Sequence, residues 1–165
     1  MHKLMIAAAL FLASCTQPAP SVQSRFRAAD APIWSNAQLD GARMTGRWRQ
    51  VAAFVNAGRD CAPGGADISG TQAALTLVAR LCQDGREAAF SGPLDAIGPG
   101  RFRAEGQEWW VIWVDTDYRT LAIGTPSGAF GFILNRGGPL PPDRLRAART
   151  IFEFNGYDTE RLRVF

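Results

Sequence analysis

Histidine is almost missing from this 165-residue chain, the single copy being His2. Serine–histidine–aspartate and cysteine–histidine mechanisms, and metal sites built on imidazole, need that side chain inside the folded domain. Lysine is as scarce, with Lys3 alone. Every other basic residue is arginine, and Arg25, Arg27, Arg43, Arg47 and Arg49 are spread among neutral residues. That excludes the dense basic face with aromatic platforms on which nucleic acid binds. No apolar run approaches the ~20 residues of a membrane-spanning helix. Cysteine is limited to Cys15, Cys61 and Cys82.

What is present at the start reads as an export signal. Lys3 gives a positive beginning, Leu4 to Ala13 is apolar, and Leu12-Ala13-Ser14-Cys15 closes it. A cysteine after Leu-Ala-Ser resembles a bacterial lipobox, in which Cys15 becomes the acylated first residue. The alternative is an ordinary signal peptide cut near Ala13, with Cys15 incidental. The lipobox reading predicts a signal peptide over 1–14, a lipidated N-terminus and flexible tether over 15–40, and one domain over 41–165. Thr16 rather than aspartate follows the cysteine, so the expected location is the outer membrane, lipid-anchored and periplasm-facing. Acyl chains hold a protein to a bilayer at about 0.8 kcal/mol per buried methylene. The mature chain keeps 17 arginines against 15 acidic residues, near +2. In an oxidising compartment the remaining pair, Cys61 and Cys82, reads as a disulfide. A reactive thiol is the other reading, but no lysine or histidine stands near to lower its pKa.

The middle of the chain is a series of short strands. Arg47–Asn56, Ala66–Ser69, Ala73–Leu81, Glu87–Ser91, Phe102–Ala104, Glu108–Val114, Arg119–Thr125 and Ala129–Arg136 alternate with turn residues. Asp84-Gly85 is a hairpin signal, and Ile97–Arg101 reads as a turn. Short turns between consecutive strands predict an up-and-down sheet, and closing it removes the exposed edges. Pro142 to Asn155 reads as a helix with a Leu145, Ala148, Phe152 stripe and a Gly156 stop. Arg144, Arg146 and Arg149 lie off the stripe and are expected in solvent. Leu162 and Val164 make a brief last strand.

Three motifs in order resemble the lipocalin family: Gly46-Arg47-Trp48, then Thr116-Asp117-Tyr118, then Arg136. The tail GPLPPDRLRAARTIFEFNGYDTERLRVF is similar to that of bacterial, apolipoprotein D-like lipocalins. The resemblance implies an all-β fold: an eight-stranded antiparallel up-and-down barrel with a C-terminal α-helix and a short final strand. It implies that Trp48 closes the floor with Arg136 across its ring, and that Asp117 bonds the backbone of its turn. Inward-facing residues Gln50, Phe54, Trp109, Val111, Trp113, Phe130, Phe132 and Leu134 would line a lumen. Trp110, Ile112 and Val114 would then pack outward.

Such a lumen suits a small apolar or amphipathic ligand, for example a fatty acid or lysophospholipid, in lipid storage or transport. The alternative is a barrel filled by its own side chains and used as an envelope scaffold. Catalysis has no visible machinery: the carboxylate pairs Asp115 with Asp117 and Glu105 with Glu108 read as a turn and a solvated hairpin loop, with no positioned acid–base or nucleophile pair. No catalytic residue, metal ligand or cofactor is therefore expected. The partners expected are a small lipid ligand and, through acylated Cys15, the membrane. Nucleic acid is not among them, and the chain is either monomer or dimer.

Overall fold

The computed structural model describes residues 26–165; the expected export signal and Cys15 lie outside them. Eight strands form the barrel: β1 Gly46–Phe54, β2 Gly65–Thr71, β3 Ala74–Gln83, β4 Arg86–Gly98, β5 Arg101–Ala104, β6 Gln107–Val114, β7 Thr120–Gly124 and β8 Gly131–Asn135. Each pairs antiparallel with the next, and β1 pairs with both β2 and β8, which closes the ring. Helix α1, Pro142–Phe154, and a last strand β9, Leu162–Val164, follow; β9 extends the far end of β1.

Local chemistry sets the hairpins. Asp84 and Gly85 both have positive φ, at 49° and 72°, the two-residue turn whose twist matches the flanking strands. Glu105 and Gly106, at 45° and 81°, do the same between β5 and β6. Two strands outrun their sequence signals. β2 reaches Thr71, and β4 continues through Ile97 to Gly98, leaving only Pro99-Gly100 as the turn before β5.

Two apolar clusters lie on opposite sides of the barrel wall. The inner one joins Trp48, Leu77, Leu81, Phe90, Trp109, Phe130 and Phe132 among others. The outer one packs Phe54, Ala122 and Ile133 of the wall against Phe26, Ala148, Phe152 and Tyr157. Phe54, Phe152 and Tyr157 are mutually 4.9 to 5.1 Å apart between ring centroids. Glycine in the wall permits this close approach: a Cβ at Gly131 would come within 2.8 Å of the Phe54 ring, and one at Gly124 within 2.8 Å of the Tyr157 hydroxyl.

The expected tether does not extend to residue 40. Phe26 is fully buried, and its N–H donates to the Gly128 carbonyl at 2.7 Å. Arg27, 7% exposed, donates to the carbonyls of Pro126, Asn155 and Ala31. Farther on, the Trp34 N–H donates to Asn155 Oδ1 and the Asn36 N–H to the Val111 carbonyl. Residues 26–40 are thus a strap on the outside of the barrel, running from its rim to its floor. Arginine in this stretch looks like linker composition, but the Arg27 side chain satisfies backbone carbonyls of distant segments.

Arg144 also departs from its expected solvated face. Its side chain is largely covered and lies 3.4 Å from Asp115 and 3.6 Å from Asp117. The turn-bonding role expected of Asp117 belongs to Asp115, which accepts from the N–H groups of Arg119 and Thr120. Asp117 is two-thirds exposed. No helix among the described residues is long and apolar enough to cross a membrane.

Candidate functional site

The floor is closed by its own residues. The Arg136 guanidinium lies 4.2 Å over the Trp48 ring, a cation–π contact of about 0.5–2 kcal/mol. It donates to three carbonyls, Tyr118 at 2.7 Å, Thr45 at 2.7 Å and Arg43 at 2.8 Å. Desolvation holds its pKa below the ordinary value, opposed by the nearby Asp115 carboxylate. Trp48 donates its indole N–H to the Met44 carbonyl at 2.7 Å. Arg43 lies 3.9 Å over the Tyr118 ring, and the Tyr118 hydroxyl accepts from the Asp40 N–H. Arg136 and the Trp48 indole thus direct their polar groups to the protein's own backbone.

The interior above the floor is filled. Phe90 and Trp109 meet edge to face at 5.1 Å, Trp109 and Phe132 likewise at 5.1 Å, and Phe130 stacks on Phe132 at 5.9 Å. No residue of the inner cluster is more than 6% exposed. A lumen with room for water would leave accessible surface on its walls, so this barrel is packed like a core.

Five of the eight expected lining residues face inward as apolar contacts: Trp109, Val111, Phe130, Phe132 and Leu134. Gln50 is buried too, but both its amide groups are used. Nε2 donates to the Cys82 carbonyl at 2.8 Å, and Oε1 accepts from the N–H groups of Cys82 and Gly64. Phe54 and Trp113 do not face the lumen; both lie in the outer cluster. The cause is the same in each strand. The pairing of β1 with β8 slips between Gln50 and Ala52, and that of β6 with β7 slips between Val111 and Trp113. One extra residue in a strand reverses which face every later side chain occupies. Ala53 and Val114 therefore turn inward where Phe54 and Trp113 were expected.

Space opens where the filled interior ends, and a second hollow of similar volume lies outside the wall between Trp48, Ala66, Ala79 and Arg136. At the rim away from Trp48 there is a basin of about 650 Å³, bounded by the loops at Arg59, Asp84, Gly106 and Pro126-Ser127. Ala129 and Phe130 give it an apolar side, and Gln83, Arg86 and Gln107 a polar one. These three were missed by sequence reasoning, which apart from Gln50 followed apolar residues. Their signal was periodicity: Gln83 continues the inward series Leu77, Ala79, Leu81, while Gln107 precedes Trp109 and Arg86 precedes Ala88 at the same spacing. Gln83 and Arg86 stand directly opposite each other in the β3–β4 hairpin.

The basin's walls are stiff. Cys61 and Cys82 form a disulfide, tying the loop after β1 to the top of β3. Asp84 accepts from the Asn56 backbone and side chain and pairs with Arg59 at 2.8 Å. The Tyr157 hydroxyl accepts from the Thr125 N–H at 2.8 Å and donates to the Phe130 carbonyl at 2.9 Å, fixing the β7–β8 loop from outside. Burial pushes the Tyr157 phenol well above its usual pKa. Among the described residues no cluster of histidine, cysteine or carboxylates has the geometry of a metal site.

Residues 96–165 match the model of the lipocalin-like domain. The solved structure of lobster apocrustacyanin A1 superposes with a TM-score of 0.55 at 16% identity, covering 81% of this chain and 88% of that one. Apocrustacyanin C2 gives 0.57 at 18% identity, covering 85% and 87%. No curated protein sequence matches the chain. The chain has the lipocalin fold, and its C-terminal part is similar to the lipocalin-like domain.

Proposed function

We propose that this lipocalin-like chain is a non-catalytic binding protein that takes a small amphipathic molecule at the open end of its barrel. The observation that carries the reading is the basin of about 650 Å³ lying directly above a filled interior. Its volume is within the roughly 300–1,000 Å³ of small-molecule sites, and it joins an apolar side to convergent polar groups. Lipocalin folds generally hold small hydrophobic ligands, and the packed inner cluster moves that role from the depth of the barrel to its mouth. The carboxylates that line the basin, Asp84 and Glu108, are engaged in ion pairs. The proposal extends, on the sequence of the first fifteen residues, to an envelope lipoprotein anchored through Cys15 and handling fatty acids or lysophospholipids.

A second reading is favoured by the same filled interior: an envelope scaffold that binds no small molecule. Native mass spectrometry of the exported protein carrying Cys15→Ser separates the two. The binding reading expects an added mass of a few hundred daltons, either carried from the cell or acquired from added dodecanoate or lysophospholipid, and lost on denaturation. A bare protein under all these conditions contradicts it and leaves the scaffold.

A further inference from the structure

Buried polar side chains in folded proteins are almost always hydrogen-bonded, so those that are not mark a place where something is missing. Among the described residues four buried side-chain polar atoms lack a hydrogen bond: Gln83 Nε2, Gln107 Oε1, Trp109 Nε1 and Asp115 Oδ2. Asp115 Oδ2 has the Arg144 guanidinium at 3.4 Å. The other three fall together. Gln83 and Gln107 line the basin, and Trp109 is the next inward residue below Gln107 on β6.

Charge at the basin is uneven in the same way. Arg59 is paired with Asp84, and Glu108 with Arg103 at 3.4 Å while also accepting from the Trp110 indole. Arg86 lines the basin and forms no ion pair with any of the described residues. Its cross-strand partner is Gln83, whose amide nitrogen is one of the unpaired donors. Both carboxylates lining the basin are thus neutralised, and among the described residues one guanidinium is left over beside the Gln83 amide.

We infer that the basin is a site for an amphipathic anion. The charged oxygens of its carboxylate or phosphate head seat against Arg86 and Gln83, and its apolar chain lies across Phe130. The inference rests on the proposed binding function and specifies the ligand's head. A carboxylate or phosphate supplies acceptors to the Arg86 guanidinium and the Gln83 amide, and charge-assisted hydrogen bonds are the strong ones. A neutral alcohol would leave Arg86 uncompensated. Gln107 presents a donor or an acceptor according to the flip of its amide, and so accommodates a hydroxyl or a second head oxygen.

Calorimetry with dodecanoate, dodecyl phosphate and dodecanol tests this on the exported protein carrying Cys15→Ser. Both anions are expected to bind about ten-fold more tightly than the alcohol, the value of one charge-assisted hydrogen bond. Arg86→Gln removes most of that preference and leaves dodecanol affinity within about two-fold, because the residue is exposed and has no structural partner. Gln83→Leu weakens the anions several-fold with the melting temperature held or raised. Equal affinity for anion and alcohol, or an anion preference that survives Arg86→Gln, overturns the anionic site while leaving a basin that binds. Failure of all three probes to bind overturns the basin as a site altogether.

Discussion

The two ends of this barrel are built from similar materials to opposite effect. At the floor an arginine, a tryptophan and a tyrosine spend every polar group on the protein itself, Arg136 alone reaching three carbonyls. At the mouth an arginine, a tryptophan and two glutamines leave theirs unspent. Slack does not explain the difference. The rim is held by a disulfide, by Asp84 bridging to Asn56 and Arg59, and by the Tyr157 hydroxyl. Unpaired polar groups in a stiff setting are pre-organised ones, and ordering them in advance reduces what binding must later cost. Closure and recognition are therefore divided between the ends rather than shared through a lumen.

Substitutions sharpen the contrast. Trp48→Ala should be the most damaging, about 3–5 kcal/mol in denaturant unfolding, because it empties a buried indole site and strands Arg136. Replacing Cys61 and Cys82 by serine should cost about 3 kcal/mol for a loop of this length. It should also weaken ligand binding, since the bridge shapes the basin; unchanged affinity would mean that the rim is stiff without it. Tyr157→Phe should cost about 1–3 kcal/mol by leaving the Thr125 N–H unpaired.

The same tyrosine gives a pH signature. Burial raises its folded pKa, so its contribution is fully present below the unfolded value of about 10 and is lost as pH rises through the folded one. Stability should fall above about pH 10, and Tyr157→Phe should flatten that fall. Gln107→Leu should have the smallest effect, within about 0.5 kcal/mol or slightly stabilising, since it removes an unpaired buried oxygen. A loss as large as that of Trp48→Ala would erase the distinction between the ends.

Much of the barrel was legible because alternation and turn chemistry are local. Asp84-Gly85 announced its hairpin, and the β8 series Phe130, Phe132, Leu134 gave the inward face correctly. The Trp48–Arg136 contact and the Cys61–Cys82 bridge were legible too, the first from the family motifs and the second from the pairing of cysteines. Phe54 and Trp113 were misplaced because a bulge is a single extra residue in a run that is apolar on both faces. Nothing in QVAAF or WVIWV marks where the parity changes. The strap over 26–40 was misread for a different reason: Arg27 and Trp34 reach carbonyl and amide groups more than ninety residues away. The basin escaped because its polar residues interrupt an apolar series, which reads as the end of a strand rather than the beginning of a site.

The most direct measurement is a ¹H–¹⁵N spectrum of the tryptophan indole groups during titration with dodecanoate. Trp109 lies one layer beneath the basin with a free N–H, and Trp48 lies at the floor with its N–H on Met44. Recognition at the mouth predicts a saturable shift of the Trp109 indole signal with the Trp48 signal unmoved. Equal shifts at both would mean that the ligand penetrates the length of the barrel. No shift at Trp109 would mean that the mouth is not where it binds.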